Sequence, residues 1–274
     1  YFEGSLEDIL GNFEQNKFWE IKPNLSHEKF DKEKAKEYAK QYYELLEDAV
    51  RIRLRADVKV GSALSGGLDS SSIVYLVNKL LKEQGKEELQ ETFSSVYKSD
   101  GTQECDESYF IDIMALKLGV HSNQIEPKED EIPSQIEKMI WHLENPPDNS
   151  LMSSWHTFKL VASTDVKVTL DGQGADEQLG GYLPYLLNYI SSLSIVDMFS
   201  QAKKCLQIPN SSKYVFVGLC LGLYRVLFGE KFLKFTIKNI FKRDFETNLN
   251  KKLGIDTMGS LITLIHYADH TSMA

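Results

Sequence analysis

The sequence predicts an α/β protein, a doubly wound parallel sheet followed by a helical C-terminal extension. Three observations predict it. The short apolar runs at 58–64, 89–97 and 166–170 have the length of strands covered on both faces. The segments between them carry apolar residues at helical spacing, so strands and helices alternate from about Asp57 to Tyr182. Beyond Tyr182 the patterns are helical.

The elements follow in order. Residues 32–56 place Tyr38, Tyr42, Leu45, Leu46 and Val50 at helical spacing, as in a helix packed on the sheet. Val58, Val60, Ala63 and Leu64 form the first strand. Ile73, Val74, Leu76, Val77, Leu80 and Leu81 then recur as the buried face of a helix. The second strand, 89–97, ends in Phe93-Ser94-Ser95-Val96-Tyr97. Asp106 and Glu107 open the next helix, where carboxylates suit the positive end of the dipole. Leu118-Gly119-Val120-His121 reads as a helix end followed by a strand. Glu144-Asn145-Pro146-Pro147-Asp148 is a helix stop and loop. Pro209-Asn210-Ser211-Ser212 breaks the C-terminal helices. The apolar stretch 214–228 contains Arg225, is too short for a membrane span and reads as a buried helix. The basic stretch 231–252 reads as a solvated helix face.

The 274 residues are enough to bury one sizeable core with room for an extension. A hydrophobic content of 42% and a charged content of 26% are ordinary for a soluble globular protein. The net charge of −9 argues against a general nucleic-acid binder. Cys105, Cys205 and Cys220 are scattered and form no CxxC pair, which fits a reducing, cytoplasmic compartment and neither zinc nor a disulfide framework. The histidines form no ligand cluster; His266 and His270, four apart, read as incidental. The start of the chain has no signal-peptide pattern.

The chemistry concentrates at 58–72. A strand turns on Gly66 and Gly67 and enters a helix through serines. Free amides at such a helix start, aided by the dipole, favour an anion. The two glycines let that anion approach the main chain. Ser65, Ser70 and Ser71 add hydroxyl donors. Asp69 beside phosphate makes sense if it binds Mg²⁺, which accepts a carboxylate and phosphate oxygens together. The Walker pattern is absent and the loop holds no lysine, which disfavours a Walker kinase or GTPase. A Gly-Gly turn with a serine cap alone would need no ligand. The added Asp and paired serines favour one.

A second loop follows the 166–170 strand: Asp171-Gly172-Gln173-Gly174-Ala175-Asp176-Glu177-Gln178-Leu179-Gly180-Gly181-Tyr182. Alone it would read as a glycine-rich turn with an acidic face. Placed after a strand, it is a candidate for the opposite wall of one crevice, because ligands in open parallel sheets sit at the carboxyl ends of strands.

Ser65-Gly66-Gly67-Leu68-Asp69-Ser70-Ser71 resembles the pyrophosphate loop of the ATP-pyrophosphatase superfamily. Within it, the chain is most similar to the synthetase domain of glutamine-dependent asparagine synthetases. The second loop resembles that family's Ser-Gly-Glu-Gly-Ala-Asp-Glu signature with its following Gly-Gly-Tyr. The resemblance implies a sheet of the adenine nucleotide α-hydrolase type. It implies ATP contacts at Ala63, Leu64, Ser65, Gly66, Gly67, Leu68, Asp69, Ser70, Ser71, Ser95, Asp171 and Gly172, with Mg²⁺ on Asp69 and Asp176. It also implies that ATP is split between the α and β phosphates as a carboxylate, aspartate in asparagine synthetases, is adenylated, and that ammonia then displaces AMP.

Two departures stand in the second loop: Asp171 replaces the usual Ser, and Gln173 the usual Glu. Gln173 is expected near the reacting carboxyl, but an amide cannot serve as a general base. Another acceptor therefore stays open, such as a surface sugar acid or a cyclising amino acid as in β-lactam synthetases. ATP binding without turnover is a further alternative. The resemblance covers 18–182, including a Phe18-Trp19 lead-in like the family's linker, and weakly the closing 266–274, where His270 replaces an Arg. Leu118-Gly119-Val120-His121 is similar to the family's Leu-Gly-x-x-His pattern with one residue fewer before the histidine, and His121 reads as structural. The expected organisation is a linker at 1–31, an ATP-pyrophosphatase core at 32–182 and a truncated helical part at 183–274. Ammonia would come from an N-terminal glutaminase domain absent from this chain. A homodimer is compatible with the resemblance.

Overall fold

Asp31 accepts the amides of Glu33 and Lys34 at 2.8 and 3.0 Å and starts helix α1, Lys32–Arg53. This computed structural model describes residues 22, 31–86, 90–144, 151–241 and 252. The 18–21 lead-in, Leu89, the 145–148 loop, most of 242–252 and the closing segment with His266 and His270 lie outside them.

Four strands follow: β1 Val60–Ala63, β2 Glu91–Ser95, β3 His121–Ile125 and β4 Val168–Leu170. All pair parallel, in the order β3-β2-β1-β4. The chain steps outward from β1 through β2 to β3, then returns to the other side of β1. The order therefore reverses between β1 and β4, which is where open α/β sheets form their ligand crevice.

Helices cover both faces. After β1 comes α2, Leu68–Glu83, and after β2 comes α3, Ser108–Leu118. Leu64 and Val96 pack with Val74 of α2 and Ile111 of α3. Val50 of α1 joins Leu76, Val77 and Leu80 of α2. On the alternate side of β2, Phe93 packs with Val161 of α5, Leu151–Ala162, and with Val166. A Cβ on Gly61 would come within 2.8 Å of the Phe93 ring, so glycine makes room for it. Helix α4, Ile132–Leu143, packs Met139 and Leu143 on Trp155 of α5.

The sheet interior is more polar than most parallel sheets, and its hydroxyls are paired. Ser94 donates to the Leu64 carbonyl at 2.6 Å, Thr92 to the His121 carbonyl at 3.3 Å, and Gln90 to the Ser62 hydroxyl at 3.3 Å. His156 of α5 is buried, and its Nε2 has no partner among the described residues.

The described chain divides into two compact units, 31–175 and 176–241. The second holds the short helix α6, Ala175–Leu179, apart from its first residue, then α7 Tyr185–Ser192, α8 Ile195–Cys205, α9 Ser212–Phe228 and α10 Glu230–Phe241. Its core is Ile190, Met198, Ala202, Cys205 and Val215. The expected break holds: Asn210 has a positive φ, and Ser211 donates to the Cys205 carbonyl at 2.8 Å.

The reading of 214–228 as a buried helix needs correction. Gly218 and Gly222 of α9 press against Ile190 and Met198. On the other side, among the described residues, Phe216, Leu227 and Phe228 are exposed. The two glycines give one close-packed stripe, and that is narrower than the apolar surface of the helix. No described helix is long and apolar enough to cross a membrane.

Candidate functional site

The loop between β1 and α2 is braced from within. The Ser65 amide donates to the Ser70 hydroxyl at 3.1 Å, and the two hydroxyls lie 3.0 Å apart. The Gly67 amide donates to Ser65 Oγ at 3.3 Å, and Ser70 Oγ reaches the Gly67 carbonyl at 3.3 Å. The two serines thus hold the shape of the turn. Gly66 sits at φ 87°, where a Cβ would lie 3.1 Å from the Glu107 carbonyl oxygen. Only glycine combines that angle with so close a wall.

Gly67 is the N-cap of α2 and supplies no side-chain cap. Among the described residues, no acceptor takes the amides of Leu68, Asp69 or Ser70; the first internal bond is Ser71 N to the Gly67 carbonyl at 3.1 Å. Three donors and the positive end of a 16-residue helix therefore stay open. Asp69 and Ser71 are half-buried in the first turn, Ser65 is exposed and Leu68 projects outward. Leu64 is buried and donates to the Phe93 carbonyl at 2.9 Å, which fixes the loop to the end of β2. The arrangement offers the open amides and helix N-terminus that suit an anion at a strand end.

The second loop begins where β4 ends. Asp171 turns its carboxylate back to β1 and accepts the Ala63 amide at 3.4 Å. Burial pushes this carboxyl above the usual range, opposed by its bonds to the Ala63 amide and the Thr169 side chain. Gly172 lies against the first turn of α2. A Cβ there would come within 2.8 Å of the Asp69 carbonyl carbon and of Ser70 N. The two loops predicted to share one crevice therefore meet at Asp171–Gly172 and Asp69–Ser70. Gln173 follows with its side chain exposed.

Within the other unit, the Asp176 carboxylate occupies the space a Cβ on Gly181 would need. Glu177 is buried and accepts the Tyr182 hydroxyl at 3.1 Å. The Gly-Gly-Tyr end of the motif thus supports the Asp-Glu pair locally. Sequence reasoning did not single out Glu177; its five-residue spacing from Tyr182 inside the motif was the available signal.

Ser95 is placed differently from a free ligand contact. Its hydroxyl donates to the Ser153 carbonyl at 3.1 Å and lies 2.9 Å from Thr157 Oγ1, tying β2 to α5. Asp106 accepts the Tyr97 amide at 3.1 Å and the Ser108 hydroxyl at 2.7 Å, joining the end of β2 to the start of α3. Those bonds, the one from Ser108 first, hold its carboxyl below the usual range. His121 opens β3 at the opposite end of the sheet from the loops, with its amide on the Gln90 carbonyl at 2.9 Å and its side chain exposed. A hollow of about 480 Å³ beyond β2 and β3 is lined by Asp100, Glu126, Glu129 and Asp130, a poor setting for phosphate. Among the described residues no three His, Cys, Asp or Glu side chains group as a metal cluster.

A glycine-serine loop of phosphate type thus meets the start of a second glycine-acidic loop at the switch point of a parallel α/β sheet. The chain belongs to the asparagine synthase family, whose model matches residues 41–220. It is 32% identical over 189 residues to amidase chyE of Penicillium rubens, covering 65% of this chain and 27% of that protein. It is 35% identical over 162 residues to a putative glutamine-hydrolyzing asparagine synthetase 2 of Methanocaldococcus jannaschii, covering 58% and 29%. It is 31% identical over 146 residues to the glutamine-hydrolyzing asparagine synthetase 1 of Bacillus subtilis, covering 53% and 22%. The chain thus matches less than a third of the length of these relatives.

Proposed function

We propose that this chain activates a carboxylate with ATP and passes it to ammonia, releasing pyrophosphate and AMP. The observation that carries the reading is the seating of Gly172 on the first turn of α2. It sets the start of the second loop, Asp171 and Gly172, beside three open amides at the point where the strand order reverses.

In this reading the amides of Leu68, Asp69 and Ser70 take the β and γ phosphates, and Gly66 and Gly67 let them approach. Ser65 and Ser70 keep the loop in shape, and Ser71 offers a further hydroxyl. The main chain at Ala63, Leu64, Asp171 and Gly172 borders the nucleotide, with Ser95 at the end of β2. The donor set fits Mg²⁺, because a half-buried carboxylate, Asp69, stands among amides suited to phosphate oxygens. Mg²⁺, when bound, offsets charge on the leaving pyrophosphate. The part given to Asp176 as second ligand rests on the motif.

The substrate carboxylate attacks the α phosphorus. The bond to the bridging oxygen breaks, and pyrophosphate departs with that electron pair, held by donors already oriented toward it. Ammonia then attacks the acyl carbon, AMP leaves, and the nitrogen loses a proton. Gln173 orients a reactant through its amide but takes up no proton, so that proton passes to AMP or to solvent. The names of the glutamine-hydrolyzing relatives support glutamine as the source of ammonia and aspartate as the carboxylate.

A second reading keeps the chemistry and changes the acceptor. Gln173 in place of an acidic residue, together with similarity to fungal proteins named amidases, favours a carboxylate other than aspartate. Exchange of labelled pyrophosphate into ATP, run with a panel of carboxylates, separates the two. Exchange with aspartate supports the first reading, and exchange with another acid alone supports the second. ATP binding without exchange for any acid contradicts both.

A further inference from the structure

The connection from β2 to α3 is closed at its neck by one side chain. Asp106 Oδ1 accepts the Tyr97 amide at 3.1 Å and the Ser108 amide at 3.2 Å, and its Oδ2 accepts the Ser108 hydroxyl at 2.7 Å. The Tyr97 carbonyl is taken from within the same connection, by the Thr102 hydroxyl at 3.3 Å. Asp106 has extended backbone angles, φ −83° and ψ 116°, and holds an amide of the first turn of α3. It supplies the side-chain cap that Glu107, the residue directly before the helix, does not. One carboxylate thus fixes both the exit from β2 and the start of α3.

The start of α3 is the wall on which the phosphate-type loop rests. The Glu107 carbonyl accepts the Phe110 and Ile111 amides at 3.0 and 3.2 Å, so it is held in the helical turn. A Cβ on Gly66 would lie 3.1 Å from that carbonyl oxygen, 3.1 Å from Glu107 Cβ and 3.2 Å from Phe110 Cβ. Gly66 therefore meets the main chain of α3 and the roots of two side chains, with no flexible tip between them. A small shift of α3 would be passed directly to the loop. Glycine has wide conformational freedom of its own, and this wall limits it at the φ of 87°.

We propose that Asp106 is a positioning residue for the phosphate-type loop: by fixing where α3 begins, it sets the wall that holds Gly66 in its left-handed turn. It acts through Glu107 and Gly66 and touches no reacting atom. The role rests on the function proposed above, in which this loop takes the phosphates. It requires a fork of two polar atoms and not a formal charge. Asparagine keeps one oxygen for the two amides, and its amide nitrogen donates to the Ser108 hydroxyl oxygen. Alanine removes all three bonds.

The test compares Asp106→Ala, Asp106→Asn and Met139→Ala on the intact chain. Met139 is buried in the separate core between α4 and α5, so its truncation is a destabilised control. Three quantities are read: melting temperature, the amide resonances of Gly66 and Gly67 by NMR without nucleotide, and affinity for ATP with Mg²⁺ by calorimetry. Asp106→Ala is expected to move both resonances and to weaken ATP about tenfold. Asp106→Asn is expected to leave the resonances in place and to bind ATP within about threefold of the parent. Met139→Ala is expected to melt at least as early as Asp106→Ala and to keep the parent's affinity. Resonances or affinity unchanged in Asp106→Ala overturn the proposal, as does an asparagine variant as defective as alanine. Equal loss of affinity in Met139→Ala also overturns it, because general destabilisation then explains the effect. Should Asp106→Ala not fold, Ser108→Ala removes the shortest of the three bonds alone and is expected to move the same two resonances; resonances that stay in place overturn the proposal. If the parent binds no ATP, the function proposed above fails, while the Gly66 and Gly67 resonances still decide whether Asp106 holds the loop.

Discussion

Gly172 rests on the backbone of Asp69: a Cβ at 172 would lie 2.8 Å from the Asp69 carbonyl carbon and 3.0 Å from Asp69 Cβ. This contact joins two loops that lie far apart in the sequence. It turns a phosphate-type loop and a glycine-rich loop into one site. Gly172→Ala is therefore expected to push the loops apart. Overpacking of this kind costs ~1–3 kcal/mol, which thermal unfolding would register, and ATP affinity should fall with it.

Gly66 and Gly67 should separate cleanly. Gly66 has a φ of 87° and faces Glu107 and Phe110, whereas Gly67 has a φ of −69° and only Ser65 Oγ at 3.4 Å beyond. Gly66→Ala should cost on the order of 2–4 kcal/mol, combining the left-handed penalty with the clash. Gly67→Ala should cost under about 1 kcal/mol in stability, because its backbone angles suit any residue. Denaturant unfolding of the two variants checks the contrast.

The carboxylate of Asp69 should matter for ligand and little for fold, since α2 starts without a side-chain cap and its first bond is made by the main chain of Ser71 and Gly67. Asp69→Asn is expected to weaken Mg²⁺-ATP about tenfold, or ~1.4 kcal/mol, with the melting temperature nearly unchanged. Chelating the metal should abolish the difference between parent and variant. Asp176→Asn should act in the same direction, and unchanged affinity would remove Asp176 from the metal assignment.

His156 gives a pH signature independent of the site. Burial, and secondarily Lys159, holds its imidazole below the usual range. Below about pH 6.5 the unfolded chain takes up a proton that the folded chain refuses. Stability should therefore fall as pH drops below that value, until the lowered folded pKa is passed. Melting temperatures between pH 5 and 8 should slope more steeply for the parent than for His156→Phe. Parallel slopes would show that His156 is not the group responsible.

Some of this was legible in the sequence because it is local. Ser65 to Ser71 announces a strand, a turn on glycine and a helix start, and each part depends on residues within a few positions. The parallel sheet followed from strand-length apolar runs between helical periodicities. The roles of the serines were not legible. A hydroxyl in such a loop reads as a donor to ligand, yet Ser65 and Ser70 bond to each other and to the loop backbone. Ser95 likewise gives its hydroxyl to α5. These partners are set by tertiary packing, which no spacing encodes. The exposed side of α9 was missed for a related reason. An all-apolar stretch predicts burial on every side, while Gly218 and Gly222 direct only one stripe into close packing.

The central claim is that ATP is cleaved between its α and β phosphates as a carboxylate is activated. Phosphorus NMR of the chain with ATP, Mg²⁺, ammonium and a panel of carboxylates tests it most directly. The account predicts AMP and pyrophosphate in equal amounts, formed only when an accepted carboxylate is present. ADP with inorganic phosphate, or nucleotide turnover indifferent to every carboxylate, would contradict it.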